Sequence, residues 1–115
     1  MYQTSYTEVL EGASQTVRSN ERTAVLHSIR LLELAEQAGA SSREAIVAVQ
    51  FLRRLWEFFL IHLASSESQL PEKMRAQLIS IGISLLKEAE RIKRGESNDF
   101  RALKDISQII ADGLA

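Results

Sequence analysis

Apolar residues recur at helical spacing through most of this chain, and they are densest from residue 51 to 64, FLRRLWEFFLIHLA. A membrane-spanning helix needs about 20 mostly apolar residues, whereas this shorter segment carries Arg53, Arg54 and Glu57. A helix that is apolar around most of its circumference either lies at the centre of a bundle or presents a second face to a partner. The pattern leaves both interpretations open.

Glycine and serine mark the junction between the first two predicted helices. The first is expected to run from about Gln15 to Gln37 and to end at Gly39, because glycine favours the left-handed C-cap conformation. The sequence SSRE that follows matches a capping box, in which Ser41 caps the second helix and Glu44 reaches back. We expect this second helix to continue to about residue 64.

A proline and another glycine bound the third predicted helix. Residues 65–69 are polar and lack periodicity, and Pro71 then stands where a helix's first turn favours proline. Glu72 suits the positive end of the helix dipole. Apolar residues recur at near-heptad spacing from there until Gly95, which predicts a third helix between Pro71 and Gly95.

A fourth, shorter helix is predicted after Ser97 or Asn98, either of which could cap it, and it ends near Gly113. No segment alternates polar and apolar residues at the period of a β-strand. Because short connections join successive helices, the sequence predicts an all-α fold, a single-domain antiparallel bundle of about four helices. Residues 1–14 precede the first predicted helix as an arm, and the pattern leaves open whether the arm is flexible.

The second and third predicted helices carry more apolar surface than one packing seam requires. Phe58 lies on a different side of the second helix from Trp56, and Ile79 and Ile83 form a second apolar edge on the third. We expect this surplus to form a groove that binds an amphipathic partner helix. Trp and Arg are included among the contacts because they dominate interface hot spots. The candidate partner-binding residues are Arg54, Trp56, Phe58, Ile79, Ile83 and Leu86.

Composition argues against several kinds of chemistry. The net charge is -1 and cysteine is absent, so we expect no global attraction to nucleic acid or anionic lipid and no thiolate metal site. His27 and His62 lie on different predicted helices without neighbouring ligands, and neither a nucleophile elbow nor a glycine-rich phosphate loop is present. The amino terminus does not resemble a signal peptide. The sequence predicts a cytoplasmic, non-enzymatic protein without cofactor, metal or membrane partner.

Basic residues gather toward the end of the third predicted helix, at Lys87, Arg91, Lys93 and Arg94. They complement the negative end of the helix dipole. Alternatively, they form a weak phosphate-binding patch for RNA. Glutamates interleave with them and no aromatic platform for stacked bases is evident, so direct RNA binding is the less favoured interpretation.

Several blocks of the chain form a specific combination when taken in order: RRLWEFFLIHLA, LP, MRAQLISIG, LLKEAERIKRGES, DFRAL and the terminal IIADGL. With MYQTSY and SREA nearer the start, they resemble the FlaF family of small flagellar biosynthesis regulators from alphaproteobacteria. The resemblance runs over most of the chain. It is most specific in the RLW, LP..MRAQLISIG and EAERI..GES blocks, where order and spacing both fit.

The resemblance implies a non-catalytic protein that promotes flagellin synthesis or export and opposes a second regulator, FlbT. We favour a secretion chaperone that binds flagellin, whose amphipathic terminal helices must stay unpolymerised in the cytoplasm. The alternative is a post-transcriptional regulator of flagellin mRNA that acts with or against FlbT. A homodimer whose apolar faces cover one another is a further alternative. The sequence does not indicate which flagellin segment is bound.

Overall fold

Four α-helices make up the part of the chain that the computed structural model describes, which is residues 6–64 and 71–113, with side chains from residue 20 onward. They confirm the predicted all-α bundle. The helices are α1 (Tyr6–Ala38), α2 (Arg43–Ala64), α3 (Glu72–Lys93) and α4 (Phe100–Gly113).

The first helix begins at Tyr6 rather than near residue 15. The arm predicted for residues 1–14 is therefore helical in its backbone from Tyr6, and its first five residues lie outside the described residues, as does the predicted polar loop at 65–69. The predicted end is confirmed, because Gly39 follows α1 with a φ of 103°. Gly95 closes α3 in the same way with a φ of 77°.

The caps of α2 and α4 differ by one or two residues from the predicted ones. Ser42 rather than Ser41 caps α2, because the Ser42 Oγ accepts a hydrogen bond from the Ala45 N–H at 3.1 Å. Asp99 rather than Ser97 or Asn98 caps α4, since its Oδ1 accepts from the Ala102 N–H at 3.1 Å. In both cases the turn after a glycine takes up more residues than the sequence pattern indicated.

Pro71 precedes α3 and does not lie within its first turn. Its ψ of 144° is extended, while its carbonyl accepts the first hydrogen bond of the helix from the Arg75 N–H at 2.9 Å. Pro71 is therefore the N-cap residue. Glu72 lies in the first turn, as predicted.

Helices α1 and α2 form the central pair of the bundle. α1 packs against α2 and α4, α2 also packs against α3, and α3 and α4 touch one another only sparsely. Neighbouring helices run antiparallel: Lys104 near the start of α4 reaches Glu36 near the end of α1 at 2.6 Å. The largest fully buried apolar side chains come from all four helices and are Val25, Leu32, Leu52, Leu85, Phe100 and Leu103.

Helices α2 and α3 approach one another closely at Gly82. A Cβ atom placed on Gly82 would lie 2.6 Å from Cε3 of Trp56 and 3.1 Å from Cδ2 of Leu60. The Trp56 ring is 2% exposed, and Phe59 packs edge-on against it with ring centroids 5.3 Å apart. The indole therefore fills the space that a side chain at residue 82 would need.

Two serines are buried in the bundle, one on α1 and one on α4. Ser28 of α1 and Ser107 of α4 are each 1% exposed, and neither Oγ has a hydrogen-bond partner among the described residues. A buried hydroxyl without a partner lowers stability by about 1–3 kcal/mol relative to a satisfied one. The hydroxyl groups of these two serines are therefore expected to lower the free energy of unfolding of the bundle.

We expect Ser107→Ala to leave the free energy of unfolding unchanged or to raise it by up to about 1 kcal/mol, because alanine removes the unsatisfied hydroxyl and has the higher helix propensity. Urea unfolding followed by far-UV circular dichroism measures this. Ala111→Ser is the matched control, since Ala111 is 0% exposed one turn further along α4, and it should destabilise the protein. A Ser107→Ala variant that loses more than about 1 kcal/mol would mean that the hydroxyl is satisfied.

Candidate functional site

Helix α2 carries two apolar stripes with the same 4-3-4-3 spacing. The inner stripe faces the core and is at most 8% exposed at any position; it consists of Ala45, Val49, Leu52, Trp56 and Phe59. The outer stripe begins two residues later and consists of Val47, Phe51, Arg54, Phe58 and Ile61. Two residues correspond to about 200° around a helix, so the two stripes lie on opposite sides of α2.

The outer stripe lies on the side of α2 that faces away from α3, and its first two residues, Val47 and Phe51, border α1. Phe51 packs edge-on against His27 of α1, with ring centroids 5.0 Å apart. Val47 and Phe58 are 44% and 49% exposed, and Ile61 is 73% exposed. An apolar stripe at heptad spacing that is left open to solvent is the surface against which a further helix packs in coiled coils.

A concave pocket of about 160 Å³ lies where the two helices come together near the α1–α2 connection. Leu31 and Leu34 of α1 and Val47 of α2 form its apolar part, and Arg43 and Glu44 lie at its edge. Its volume suits one aliphatic side chain from a partner. We define the α1–α2 groove as His27, Leu31 and Leu34 together with the outer stripe of α2.

The structure divides the predicted partner-binding residues among different surfaces. Arg54 and Phe58 belong to the α1–α2 groove. Trp56 is buried at 2% exposure, so its assignment as an accessible contact is wrong and it is a core residue. The reason is its place on the inner stripe, where it packs against Gly82 of α3.

The apolar edge of α3 lies on the other side of α2 from the groove. The side of α2 that faces α3 is marked by Trp56 and Leu60, whose side chains lie nearest to Gly82 of α3. Phe58 is two residues from each of them along α2, which corresponds to about 200° around the helix, so it points away from α3. Ile83 is 44% exposed on that distant edge, and Ile79 and Leu86, which share it, are only partly exposed. The single groove predicted between α2 and α3 therefore corresponds to two separate surfaces.

The predicted basic cluster is partly neutralised and does not share one face. Arg91 pairs with Glu88 at 3.0 Å, and Arg94 pairs with Glu90 at 3.1 Å. Lys93 lies two residues, about 200°, from Arg91 and borders a concavity of about 590 Å³ between the α1–α2 and α3–α4 connections. Lys87 remains exposed beside Arg91. These contacts weaken the case for a phosphate-binding surface.

Several groove residues were not singled out from the sequence. They are Val47, Ile61 and Leu34, together with Leu31, which the helical pattern predicts on the core-facing stripe of the first helix. For the two residues on α2, Val47 and Ile61, the signal is the repeated 4-3 spacing two residues out of register with the core stripe. The sequence predicts His27 to be a partly exposed side chain beside the core rather than a metal or catalytic residue, and the structure places it against an aromatic ring of the groove.

Within the described ranges, no helix is both long and apolar enough to cross a membrane. The same part of the chain brings together no group of three or more His, Cys, Asp and Glu side chains that could hold a metal ion. What the described residues do present is an open apolar groove on a helical bundle, a surface suited to binding another protein.

Comparison with known proteins identifies the family. A family model described as "Flagellar protein FlaF" matches residues 2–114, nearly the whole chain. The chain belongs to the FlaF family, which confirms the resemblance found in its sequence blocks. The search of curated proteins and the search of solved structures each gave no significant match.

Proposed function

We propose that this FlaF-family protein is a non-catalytic flagellar biosynthesis regulator that binds flagellin through the α1–α2 groove and acts as its secretion chaperone. The observation that carries the proposal is the outer stripe of α2. It places four apolar residues at heptad spacing, of which Val47, Phe58 and Ile61 are open to solvent. The fourth, Phe51, is half-buried against His27. Such a face recognises a helix by its apolar positions rather than by reaction chemistry.

The chemistry of a flagellin terminal helix fits this surface. An amphipathic helix has an apolar stripe of matching period, and laying it along the groove would bury Phe58 and Ile61. Burial is favourable by roughly 25 cal/mol for each Å² of apolar surface removed from water. Covering that stripe of flagellin in the cytoplasm would keep the subunit from polymerising before export.

The experiment that tests this is co-elution with monomeric flagellin from the same source on a size-exclusion column. We expect a complex of near-equal stoichiometry at micromolar concentrations, with a mass by light scattering equal to one copy of each chain. Flagellin lacking its terminal helices is the control and should elute alone. Absence of a complex at tens of micromolar would reject the chaperone proposal and shift weight toward a role linked to FlbT.

Regulation of flagellin mRNA by direct contact is the weaker alternative, because two of the four basic residues are in ion pairs on their own helix. RNA binding through phosphates falls steeply as salt rises, since it releases condensed counterions. Filter binding to flagellin leader RNA at low and physiological salt measures this, and a tight, salt-dependent complex would restore the RNA interpretation.

A further inference from the structure

Arg54 interrupts the outer stripe at its midpoint. Val47 and Phe51 precede it in the stripe, and Phe58 and Ile61 follow it. Its side chain is exposed, and among the described residues it forms no ion pair, although Glu57 lies three positions away on the same helix. Phe51 and Phe58 lie beside it on one side of the helix, and the exposed polar residues Gln50 and Glu57 lie beside it on the other. A permanently charged group thus interrupts the apolar stripe where the stripe borders a polar strip of the same helix.

A polar residue at a single stripe position has a known consequence in helix–helix packing. It sets the register of the partner, because every other alignment places the polar group against an apolar layer, and it does so at a cost in affinity. For arginine the fitting partner is a carboxylate, which accepts two parallel hydrogen bonds from the planar guanidinium. The residue of the partner helix that faces Arg54 is therefore the one position in its apolar stripe where an apolar side chain is disfavoured.

We propose that Arg54 is the specificity-determining residue of the α1–α2 groove and that it selects an amphipathic helix carrying a carboxylate within its apolar stripe. The layers that face Phe51 and Phe58, on either side of this carboxylate, are apolar. The proposal rests on the proposed function in one respect, that the groove binds a helix. It adds a rule by which the bound segment is recognised in a partner sequence.

The same geometry disfavours a second copy of this chain as the occupant. Residue 54 is the central position of the stripe, so two copies related by a two-fold axis through the stripe would bring the two Arg54 side chains together. Like charges in facing positions are destabilising, more so as water is excluded around them. A partner helix of different sequence, with a carboxylate at the centre, meets no such repulsion.

The test uses the full-length protein and three fluorescent peptides of about three heptads, long enough to form helices when bound. The peptides have leucine at every stripe position except the central one, which is Glu, Gln or Lys. We expect the Glu peptide to bind at least about tenfold more tightly than the Lys peptide, equivalent to about 1.4 kcal/mol. Arg54→Glu should invert that order, and Arg54→Leu should remove the preference while keeping or increasing affinity.

Lys87→Glu is the control for net charge, because it makes the same charge change on an exposed residue of α3 away from the groove. It should leave the Glu preference intact. An unchanged Glu-over-Lys preference in Arg54→Glu would overturn the inference, as would failure of all three peptides at concentrations where flagellin binds. Peptide binding that depends on Arg54, together with no flagellin complex, would support the inference and reject flagellin as the partner.

Discussion

Gly82→Ala is expected to destabilise the bundle by about 1–3 kcal/mol, the usual range for overpacking a core. On an open helix surface the same change would stabilise the protein by roughly 1 kcal/mol, since alanine has the higher helix propensity. Here the added Cβ would lie 2.6 Å and 2.9 Å from two carbons of the Trp56 ring. The ring is 2% exposed and is held edge-on by Phe59, so the helices must separate to relieve the clash.

A second mutation separates this clash from any other effect of the substitution. In a Trp56→Leu background the ring atoms that meet the new Cβ are gone, and Gly82→Ala should then be neutral or stabilising. Urea unfolding monitored by far-UV circular dichroism gives the four free energies of the double-mutant cycle. Gly95→Ala is the control, because its cost arises from a φ of 77° with no side chain near and should be equal in both backgrounds.

Equal costs for Gly82→Ala with and without the indole would contradict the contact as the cause. Trp56→Ala alone should lower stability by about 3–5 kcal/mol, as for other buried aromatic residues. A loss of that size is a large fraction of the stability of a small domain. Because Trp56 is buried, any loss of partner binding in Trp56→Ala would reflect disruption of the core rather than a lost contact with the partner.

Local signals predicted the helices of this protein well because each is decided by a few neighbouring residues. Gly39 adopts the left-handed conformation that the sequence predicts at the end of α1, and Gly95, the predicted end of α3, adopts it as well. The caps were less accurate: Ser41 and Ser42 are both suitable residues, and the choice between them depends on how the turn after Gly39 closes. That turn is fixed by hydrogen bonds such as Ser42 Oγ to the Gly39 carbonyl at 2.6 Å.

The groove could be predicted only in part, because it depends on which helices become neighbours. The pattern showed that α2 has apolar residues on two sides, yet a helical wheel does not tell which side a bundle buries. Packing of Gly82 against Trp56 decides this for α2. It places Phe58 on the side of α2 that faces away from α3 and leaves Ile83 on a different surface, whereas the sequence predicted one groove for both.

Phe58→Asp is expected to weaken flagellin binding by about 30-fold or more, the effect of losing an aromatic hot spot worth about 2 kcal/mol. Phe58 lies in the outer stripe of α2, next to the central Arg54, so a partner helix seated in the groove would cover it. The substitution also places a charge where the partner presents apolar residues, which adds a desolvation cost. Titration of labelled flagellin, followed by fluorescence anisotropy, measures the change in Kd.

The fold should survive this change, because Phe58 is 49% exposed and substitutions at such positions usually alter stability by little. Thermal unfolding of the free variant checks this. If the variant does unfold, Phe58→Ala supplies the same comparison without a new charge, with a smaller expected loss of binding.

Ile83→Asp is the matched control for the location of the site. Ile83 has nearly the same exposure as Phe58, 44%, and receives the same charge. It lies on the apolar edge of α3, which is on the opposite side of α2 from the groove. We expect its Kd for flagellin to stay within about twofold of the unmodified protein, well below the roughly tenfold that 1.4 kcal/mol represents. The reverse result, with Ile83→Asp disrupting binding and Phe58→Asp leaving it intact, would move the docking surface to Ile79, Ile83 and Leu86. It would also leave Arg54 outside the interface, so one pair of variants decides between the two apolar surfaces of this bundle.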